Sequence, residues 1–293
     1  MNLYQYDECI INKANNKLNL GIIYEKKGIK SGYSGRIYKS KNEKYCLKIV
    51  ENKNQYIFMG EFKNLCIPTY SFESDDKRYV GYVMRYLNLG NIQEHIKRKI
   101  KFEECVVRVV IKDILTGLKE LHNMGYVHRD LHPANIMQIK EKNKVSTYII
   151  DFDQAEKING KNNACFRFSG YNAPEIVLND DIYDEKSEVF VVGVIMWEML
   201  FGECPFSGYS FFGGIIEASW DSYFLNEEYY NEILISSIKK LPSFLDDLGN
   251  GSLECVDVLK GLLAYDRDSR LTVDEALSHD FFKVSEGEGV IKE

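Results

Sequence analysis

Hydrophobic and polar positions alternate in the first third of the chain. Residues 18–50 alternate around turn glycines, with strand-like apolar positions at Ile22, Ile37, Tyr38, Leu47 and Ile49. A short helical pattern follows over residues 55–66, and a second strand-like run over residues 79–86 comes after the polar turn at 73–77. This part of the chain is therefore predicted to form a small sheet with one helix.

Beyond Gly90 the spacing of apolar residues becomes helical. Residues 103–122 keep apolar side chains three and four positions apart, and residues 187–201 are nearly all apolar, as expected for a helix buried inside a lobe. The pattern predicts a small sheet lobe joined to a larger helical lobe through a hinge near residues 84–89. We assign residues 1–86 to an N-terminal extension and the first lobe, and residues 87–293 to the second.

Composition narrows the class of protein. Apolar residues make up 45% and charged residues 28%, which is ordinary for a globular enzyme, and the net charge of -7 argues against a basic nucleic-acid face or attachment to anionic lipid. Residues 1–10 lack the apolar run of a signal peptide, and no stretch approaches the roughly 20 apolar residues that span a bilayer. We expect a cytoplasmic protein with no nucleic-acid or membrane partner.

The cysteines are also those expected of a cytoplasmic protein. The count of seven is odd, and no Cys-x-x-Cys pair occurs. We therefore expect free thiols in a reducing compartment rather than disulfides or a zinc site.

The strongest chemical signal is the run His-Arg-Asp-Leu-His-Pro-Ala-Asn at residues 128–135. Sixteen residues after Asn135, the sequence Asp151-Phe152-Asp153 ends an apolar strand-like run. An aspartate, an asparagine five residues later and an aspartate at the end of the next strand place one carboxylate beside an attacking hydroxyl. The other two side chains supply oxygen ligands for Mg²⁺.

These residues resemble the catalytic loop and the metal-binding motif of the eukaryotic protein-kinase family, and the resemblance extends in order over roughly residues 28–282. It implies an α+β, bilobal protein-kinase fold, with a small antiparallel-sheet N-lobe containing one main helix and a larger, mainly helical C-lobe. It also implies that Asp130 accepts the proton of a substrate hydroxyl. Asn135 and Asp151 would hold Mg²⁺ against the phosphates of ATP.

The resemblance assigns further residues to the nucleotide. Residues 30–37 resemble the glycine-rich phosphate loop, although Lys30 replaces its first glycine. Lys48 matches the strand lysine that grips the α- and β-phosphates, with Glu61 on the short helix as its expected partner and Glu51 as an alternative. The other implied nucleotide contacts are the loop glycines Gly32 and Gly35, the adenine neighbours Ile29, Ile37, Cys46 and Met137, the gatekeeper Met84 and the hinge residue Tyr86. For the apolar members of this set, packing in the core is the competing explanation.

The residues Ala173-Pro174-Glu175 resemble the end of a kinase activation segment, and Arg270 matches the arginine that pairs with this glutamate. We expect a buried Glu175–Arg270 ion pair. Aminoglycoside and choline kinases have similar catalytic loops but typically lack this pair, which therefore favours a protein substrate.

Several positions depart from the family pattern. His132 stands where Ser/Thr kinases usually carry a lysine that meets the γ-phosphate, and Phe168 stands where they carry a threonine. Asp153 replaces a glycine, and Glu188 replaces the buried aspartate that anchors the catalytic loop. The hallmarks of tyrosine kinases are also missing, so a Ser/Thr protein kinase is favoured. A pseudokinase scaffold and a small-molecule phosphotransferase remain as alternatives.

The activation segment carries no Ser, Thr or Tyr between Phe152 and Phe168. In the family, the arginine at the position of Arg129 often binds a phosphate on this segment. We therefore expect activity that does not require phosphorylation there.

Overall fold

The computed structural model describes residues 3–22, 30–32, 35–52, 58–158, 169–178, 183–206, 235–241, 245 and 251–283. The chain divides into two compact units. The first comprises Met1–Gly90 with Met137–Asp153, and the second comprises Asn91–Ile136 with Gln154–Glu293. The predicted single division between residues 86 and 87 differs from this arrangement. Residues 137–153 join the first unit because Ile149 pairs with residues 64–66. Its amide donates to Asn64 O over 3.0 Å, and its carbonyl accepts from Cys66 N over 2.9 Å.

The first unit is built on a five-stranded antiparallel sheet, as predicted. Its strands are β1 (Lys30–Gly32), β2 (Gly35–Lys39), β3 (Tyr45–Glu51), β4 (Tyr70–Glu73) and β5 (Tyr79–Arg85), in the order β1-β2-β3-β5-β4. Successive side chains on a strand point to opposite faces of a sheet. Leu47 and Ile49 therefore lie on one face, and Cys46 and Lys48 lie on the other, called here the Lys48 face.

The main helix of the first unit is α1 (Leu3–Leu18), which precedes the sheet in the chain. Its buried residues Ile10, Ile11 and Ala14 form one apolar cluster with Leu47 and Ile49, on the face opposite Lys48. The sheet is thus covered on that face by the N-terminal part of the chain.

The predicted helix over residues 55–66 is wrong for its described part, because residues 58–66 are not helical. Gly60 has a φ of 146°, outside the helical range, and Leu65 forms a parallel β-bridge with Ile149. The backbone groups Asn64 O and Cys66 N therefore bond to β9 (Lys144–Ile149) rather than within a helix. Strand β9 is the neighbour of β8 (Ile136–Glu141) in a small sheet. The two-residue strand β6 (Gly90–Asn91) lies at the boundary between the units.

The second unit is mainly helical, as predicted. Its helices are α2 (Ile92–Lys97), α3 (Glu104–Asn123), α4 (Pro174–Val177), α5 (Glu185–Phe201), α6 (Leu253–Leu262) and α7 (Val273–Ser278), and residues 235–241 are also helical. Short 3₁₀ helices occur at Pro133–Asn135, Ser169–Tyr171 and Asp280–Phe282, and β7 (Tyr126–Val127) pairs with β10 (Glu156–Lys157).

Helix α5 forms the centre of this unit, and all its residues from Ser187 to Met199 are buried. Asp184 caps its start by accepting hydrogen bonds from the amides of Lys186 and Ser187, and Gly202 ends it with a φ of 80°. Helix α3 packs beside α5. Its buried residues include those whose spacing predicted the helix, namely Val107, Ile111, Ile114, Leu118 and Leu121.

No helix in the described part of the chain is long and apolar enough to cross a membrane. The six cysteines that fall within the described residues are free thiols.

Candidate active site

Lys48 lies between two carboxylates in the first unit. Its side chain is only 8% exposed, and Nζ lies 3.7 Å from Asp151 Oδ1 and 3.7 Å from Asp153 Oδ2. The predicted partner Glu61 is instead exposed and lies in the non-helical stretch after β3. The prediction of a helical Glu61 paired with Lys48 is therefore wrong. The physical reason is that the end of this stretch, residues 64–66, pairs with Ile149 of β9 instead of forming the last turn of a helix.

Asp151 is held in an unusual conformation at the end of β9. Its φ is 64°, in the left-handed region, and its Oδ1 is buried without a hydrogen-bond partner among the described residues. The following residue, Phe152, is buried and packs edge-to-face on Phe58, with ring centroids 6.2 Å apart. Such strain persists only where the surroundings impose it, and it is typical of functional sites.

Asp153 adds a second carboxylate beside Asp151. Burial raises the pKa of its carboxyl group above the ordinary value, Lys48 opposes this shift, and the adjacent charge of Asp151 reinforces it. The sequence places this group where the family has glycine, and the structure brings it to the same ammonium as Asp151.

The Lys48 face gathers several of the predicted nucleotide residues. Ile37 pairs with Lys48 across β2 and β3, and Cys46 pairs with Met84 across β3 and β5. Directly opposed residues of antiparallel strands share a face. Met84 and Met137 also pack against one small apolar cluster around Cys66 and Leu87.

Gly35 occupies a position that only glycine fits. Its φ is 105°, and a Cβ atom there would lie 2.5 Å from Ile49 O and 2.7 Å from Val50 Cγ1. Gly32 is its partner at the end of the β1–β2 pairing. Of the remaining predicted residues, Tyr86 follows β5 and donates its amide to Lys44 O over 2.9 Å, and Ile29 lies outside the described residues.

The loop between β7 and β8 holds the predicted catalytic residues of the second unit. Asn135 Nδ2 donates to the backbone O of Asp130 over 2.8 Å and lies 3.4 Å from its Oδ2. His132 Nε2 lies 3.9 Å from the same Oδ2, and its Nδ1 accepts from the amide of Ala134. Asp130 Oδ1 is buried and has no hydrogen-bond partner within the described structure. Asn135 and His132 of the loop thus lie near Oδ2 of Asp130, whereas Oδ1 makes no hydrogen bond within the described residues.

Glu188 anchors this loop from helix α5, in the role predicted for it. Its fully buried carboxylate accepts from the amides of His128 over 2.6 Å and Arg129 over 2.9 Å. The second oxygen lies 2.8 Å from His122 Nε2. Burial opposes ionisation of Glu188, but His122 and the backbone donors outweigh it, so its pKa lies below the ordinary value. The sequence did not reveal His122 as a partner, since it lies in the last turn of α3.

Arg129 makes an ion pair with Glu156 of β10, inside the second unit. Its side chain is 12% exposed, and its φ of 65° places it in the left-handed region just before Asp130. The pairing of Glu156 with Val127 across β10 and β7 fixes the position of the carboxylate. The sequence analysis missed Glu156, although it is the first acidic residue after Asp153.

The predicted Glu175–Arg270 ion pair is confirmed. Arg270 Nη1 and Nη2 donate to the two oxygens of Glu175 over 2.8 Å and 3.0 Å, and Ser187 Oγ donates to the same carboxylate over 2.8 Å. Burial opposes ionisation of Glu175, but Arg270 outweighs it, so the pKa of Glu175 lies below its ordinary value. The pair ties α4 to the chain before α7. Phe168 lies outside the described residues.

Comparison with known proteins agrees with this arrangement. The family model for the protein kinase domain matches residues 25–282. The chain belongs to the protein kinase domain family. The predicted α+β kinase fold is thereby confirmed, with an antiparallel-sheet first part and a helical second part.

Curated relatives of this kinase domain are named as serine/threonine-protein kinases. A probable serine/threonine-protein kinase of Dictyostelium discoideum is 26% identical over 94% of the chain and 60% of its own length. MAP kinase-interacting serine/threonine-protein kinase 2 of Xenopus laevis is 29% identical over 81% of the chain and 56% of its own length. The chain thus spans less than two thirds of these relatives.

Solved structures share the kinase fold at low identity. The Rad53 kinase domain, solved with SCD2 in complex with AMPPNP, aligns with a TM-score of 0.59 at 22% identity, over 90% of each chain. A chain of the Chaetomium thermophilum CAK complex bound to ATP-γ-S aligns with a TM-score of 0.72 at 18% identity, over 94% of this chain and 95% of that chain.

Proposed function

We propose that this kinase domain transfers the γ-phosphate of ATP to a serine or threonine hydroxyl of a protein substrate, with Asp130 as the catalytic base. The observation that carries the proposal is the buried Asp130 Oδ1, which lacks a partner in the described residues while Asn135 holds the backbone of Asp130. The names of the curated relatives support the substrate class. We place the reaction in the cytoplasm, as expected from the sequence.

The chemistry assigned to the catalytic loop needs a fixed carboxylate. Asp130 would orient the attacking hydroxyl and accept its proton, and Glu188 keeps the loop in place through two backbone amides. His132 would donate a hydrogen bond to the γ-phosphate from the position two residues after the base. Because the loop is anchored before substrate arrives, little reorganisation is left for the reaction itself.

The nucleotide would bind at the Lys48 face, and the two solved relatives in complex with AMPPNP and ATP-γ-S support ATP as the donor. Lys48 would contact the α- and β-phosphates, and Ile37, Cys46, Met84 and Met137 would contact the adenine. Residue Gly35 lets the β1–β2 hairpin approach the phosphates closely.

Asp151 of the first unit and Asn135 of the second each offer an oxygen of the kind that Mg²⁺ prefers. Asp151 Oδ1 is buried without a hydrogen-bond partner, and Asn135 uses its Nδ2 on Asp130, which leaves its Oδ1 as a ligand oxygen. Within the described ranges, no group of three or more His, Cys, Asp or Glu side chains could hold a metal ion. Mg²⁺ needs no such cage, since it is commonly held by one or two protein oxygens together with substrate phosphates, whose charge it neutralises.

A protein substrate is favoured by the buried Glu175–Arg270 pair. This pair fixes the segment that begins at α4, where a substrate chain would dock. An enzyme that phosphorylates a small molecule has no need of such a platform.

The test is phosphate transfer from Mg-ATP to a mixed pool of proteins by the purified chain. Asp130→Asn should lower the rate by about 10²–10⁴, the usual contribution of a general base. Asp257→Asn, at an exposed aspartate of α6 that pairs with His279, is the matched control and should keep full activity.

Phosphoamino-acid analysis of the products separates serine and threonine from tyrosine. A wild-type chain that neither binds ATP nor transfers phosphate would overturn the proposal and leave a pseudokinase scaffold. Transfer to small molecules alone would replace the protein substrate.

A further inference from the structure

Helix α1 carries a completely buried carboxylate. Asp7 is 0% exposed, and its two oxygens accept from Arg36 Nε over 2.5 Å, Arg36 Nη2 over 2.6 Å and Tyr38 Oη over 2.6 Å. A fully buried aspartate is rare unless it is paired, and a bidentate arginine contact fixes direction as well as distance. Asp7 therefore specifies the position of the β2 backbone from which both donors project.

The two donor residues lie on β2, the second strand of the predicted phosphate-loop hairpin. Arg36 is the residue directly after Gly35, and both Arg36 and Tyr38 face α1, opposite the Lys48 face. Gly35 itself sits too close to Ile49 and Val50 to accept a side chain. A shift of Arg36 would therefore move the end of the β1–β2 hairpin relative to β3, which carries Lys48.

Helix α1 is itself fixed to another part of the sheet. Ile10 packs so closely on Gly81 of β5 that a Cβ atom there would lie 2.4 Å from Ile10 Cγ2. Lys13 Nζ donates to Glu73 O over 2.7 Å, and Tyr6 Oη donates to Asp76 over 2.7 Å. These contacts reach β5, the end of β4 and the turn between them. The helix thus connects β4 and β5 with the phosphate-loop hairpin at the other edge of the sheet.

We propose that Asp7 is a positioning residue for nucleotide binding, which sets the β1–β2 hairpin over the ATP phosphates through Arg36 and Tyr38. The inference rests on the proposed function for its effect on ATP, but the coupling of α1 to the hairpin stands on the contacts alone. Closely opposed reacting groups tolerate little displacement. A loosened hairpin should therefore weaken ATP binding before it affects the catalytic loop.

The experiment compares Asp7→Asn with Lys13→Met in the full chain. Lys13→Met removes a contact between α1 and the β4–β5 turn but leaves Arg36 and Tyr38 untouched. Amide hydrogen exchange without nucleotide should rise in β1 and β2 for Asp7→Asn, and near the β4–β5 turn for Lys13→Met. The KM for ATP should rise roughly tenfold in Asp7→Asn with kcat nearly unchanged, and should stay near the wild-type value in the control.

Tyr38→Phe is the milder variant if Asp7→Asn does not fold, because it removes one of the three hydrogen bonds to Asp7 and keeps the ring. It should change exchange and KM in the same direction by a smaller factor. The inference would be overturned if amide exchange in β1 and β2 were the same in Asp7→Asn as in Lys13→Met, or the same in Tyr38→Phe as in Lys13→Met where Asp7→Asn does not fold. That result would leave the proposed function intact. If the wild-type chain transfers no phosphate, the proposed function fails, and the exchange data still decide the coupling.

Discussion

Replacing Arg270 with methionine removes a guanidinium group that is 0% exposed. The side chain donates to both oxygens of Glu175, to Lys186 O over 2.9 Å and to Ala264 O over 3.1 Å. Methionine keeps much of the volume but leaves the buried Glu175 with Ser187 as its side-chain donor. Two hydrogen bonds to a charged group are worth about 1.5–3 kcal/mol each. The free energy of unfolding should therefore fall by about 3–5 kcal/mol, the usual cost of leaving a buried charge unpaired.

Urea unfolding measures this loss, and Arg267→Met is its matched control. Arg267 lies three residues earlier and pairs with Asp184, but its side chain is 37% exposed. The control should lose less than Arg270→Met, because Arg267 is itself partly exposed and Asp184 keeps the amides of Lys186 and Ser187 as donors. In a double-mutant cycle, Glu175→Gln combined with Arg270→Met should cost less than the sum of the two single changes. A loss in Arg270→Met no larger than the control loss would refute the reasoning.

The pair also has a pH signature. The pKa of Glu175 lies below its ordinary value of 4.5, so the stabilisation is present above that value and is lost as the pH falls through the lower pKa of the folded chain. The difference in unfolding free energy between wild type and Arg270→Met should accordingly shrink in acid.

Two other charged sites give distinct expectations. Phosphatase treatment of the wild-type chain should leave kinase activity unchanged, because Glu156 already neutralises Arg129. Glu156→Lys should lower kcat by about tenfold or more, because it would displace the loop that carries Arg129 and Asp130. Activity lost on phosphatase treatment, with a phosphosite mapped to Ser169 or Tyr171 near the end of the segment, would contradict this. Burial raises the pKa of Glu198 from 4.5 to about 7, and the hydrogen bond from Tyr171 opposes this shift. The stability that the protonated form contributes is therefore complete below pH 4.5 and is lost as the pH rises through about 7. Glu198→Gln should flatten the dependence of Tm on pH across that interval, because it removes a pH-dependent contribution of up to roughly 3 kcal/mol to the unfolding free energy. An unchanged slope would count against a buried Glu198.

The contact between Asp130 and Asn135 in the proposed catalytic loop could be predicted because its motif is local in sequence. Asp130 and Asn135 are five residues apart, and Asp151 follows one hairpin later, so their types and spacing carry the signal without knowledge of the fold. The pair of Glu175 and Arg270 spans a much longer separation, and it was predicted only because each residue lies in its own recognisable motif.

The helix assigned to residues 55–66 failed for a different reason. A short apolar run does not separate a helix from an extended segment, and the hydrogen bonds of Asn64 and Cys66 to Ile149 decided for the extended form. Helix α1 was overlooked although Tyr6, Ile10 and Ala14 lie four residues apart and mark its buried face.

Partners of single charged groups were beyond prediction. Asp7, His122 and Glu156 belong to no motif, and each meets a group that is distant in the chain or on another element. Charge pairing leaves no periodic trace in a sequence, unlike the packing of a helix face. Their partners become visible only in the folded chain, where Asp7 is fully buried and Glu156 pairs with a nearly buried Arg129.

Helix α1 contributes to the apolar cluster of the sheet but lies outside the part of the chain that matches the family. The family match starts at residue 25, whereas the apolar cluster under the sheet includes residues of α1. A chain trimmed to the family boundary would keep every residue that we propose as catalytic and yet present Leu47, Ile49 and Val83 to water. An exposed apolar sheet face of this kind promotes self-association. The family match therefore marks the part of the chain that resembles its relatives, whereas α1 marks how much of the chain is needed to cover the apolar face of the sheet.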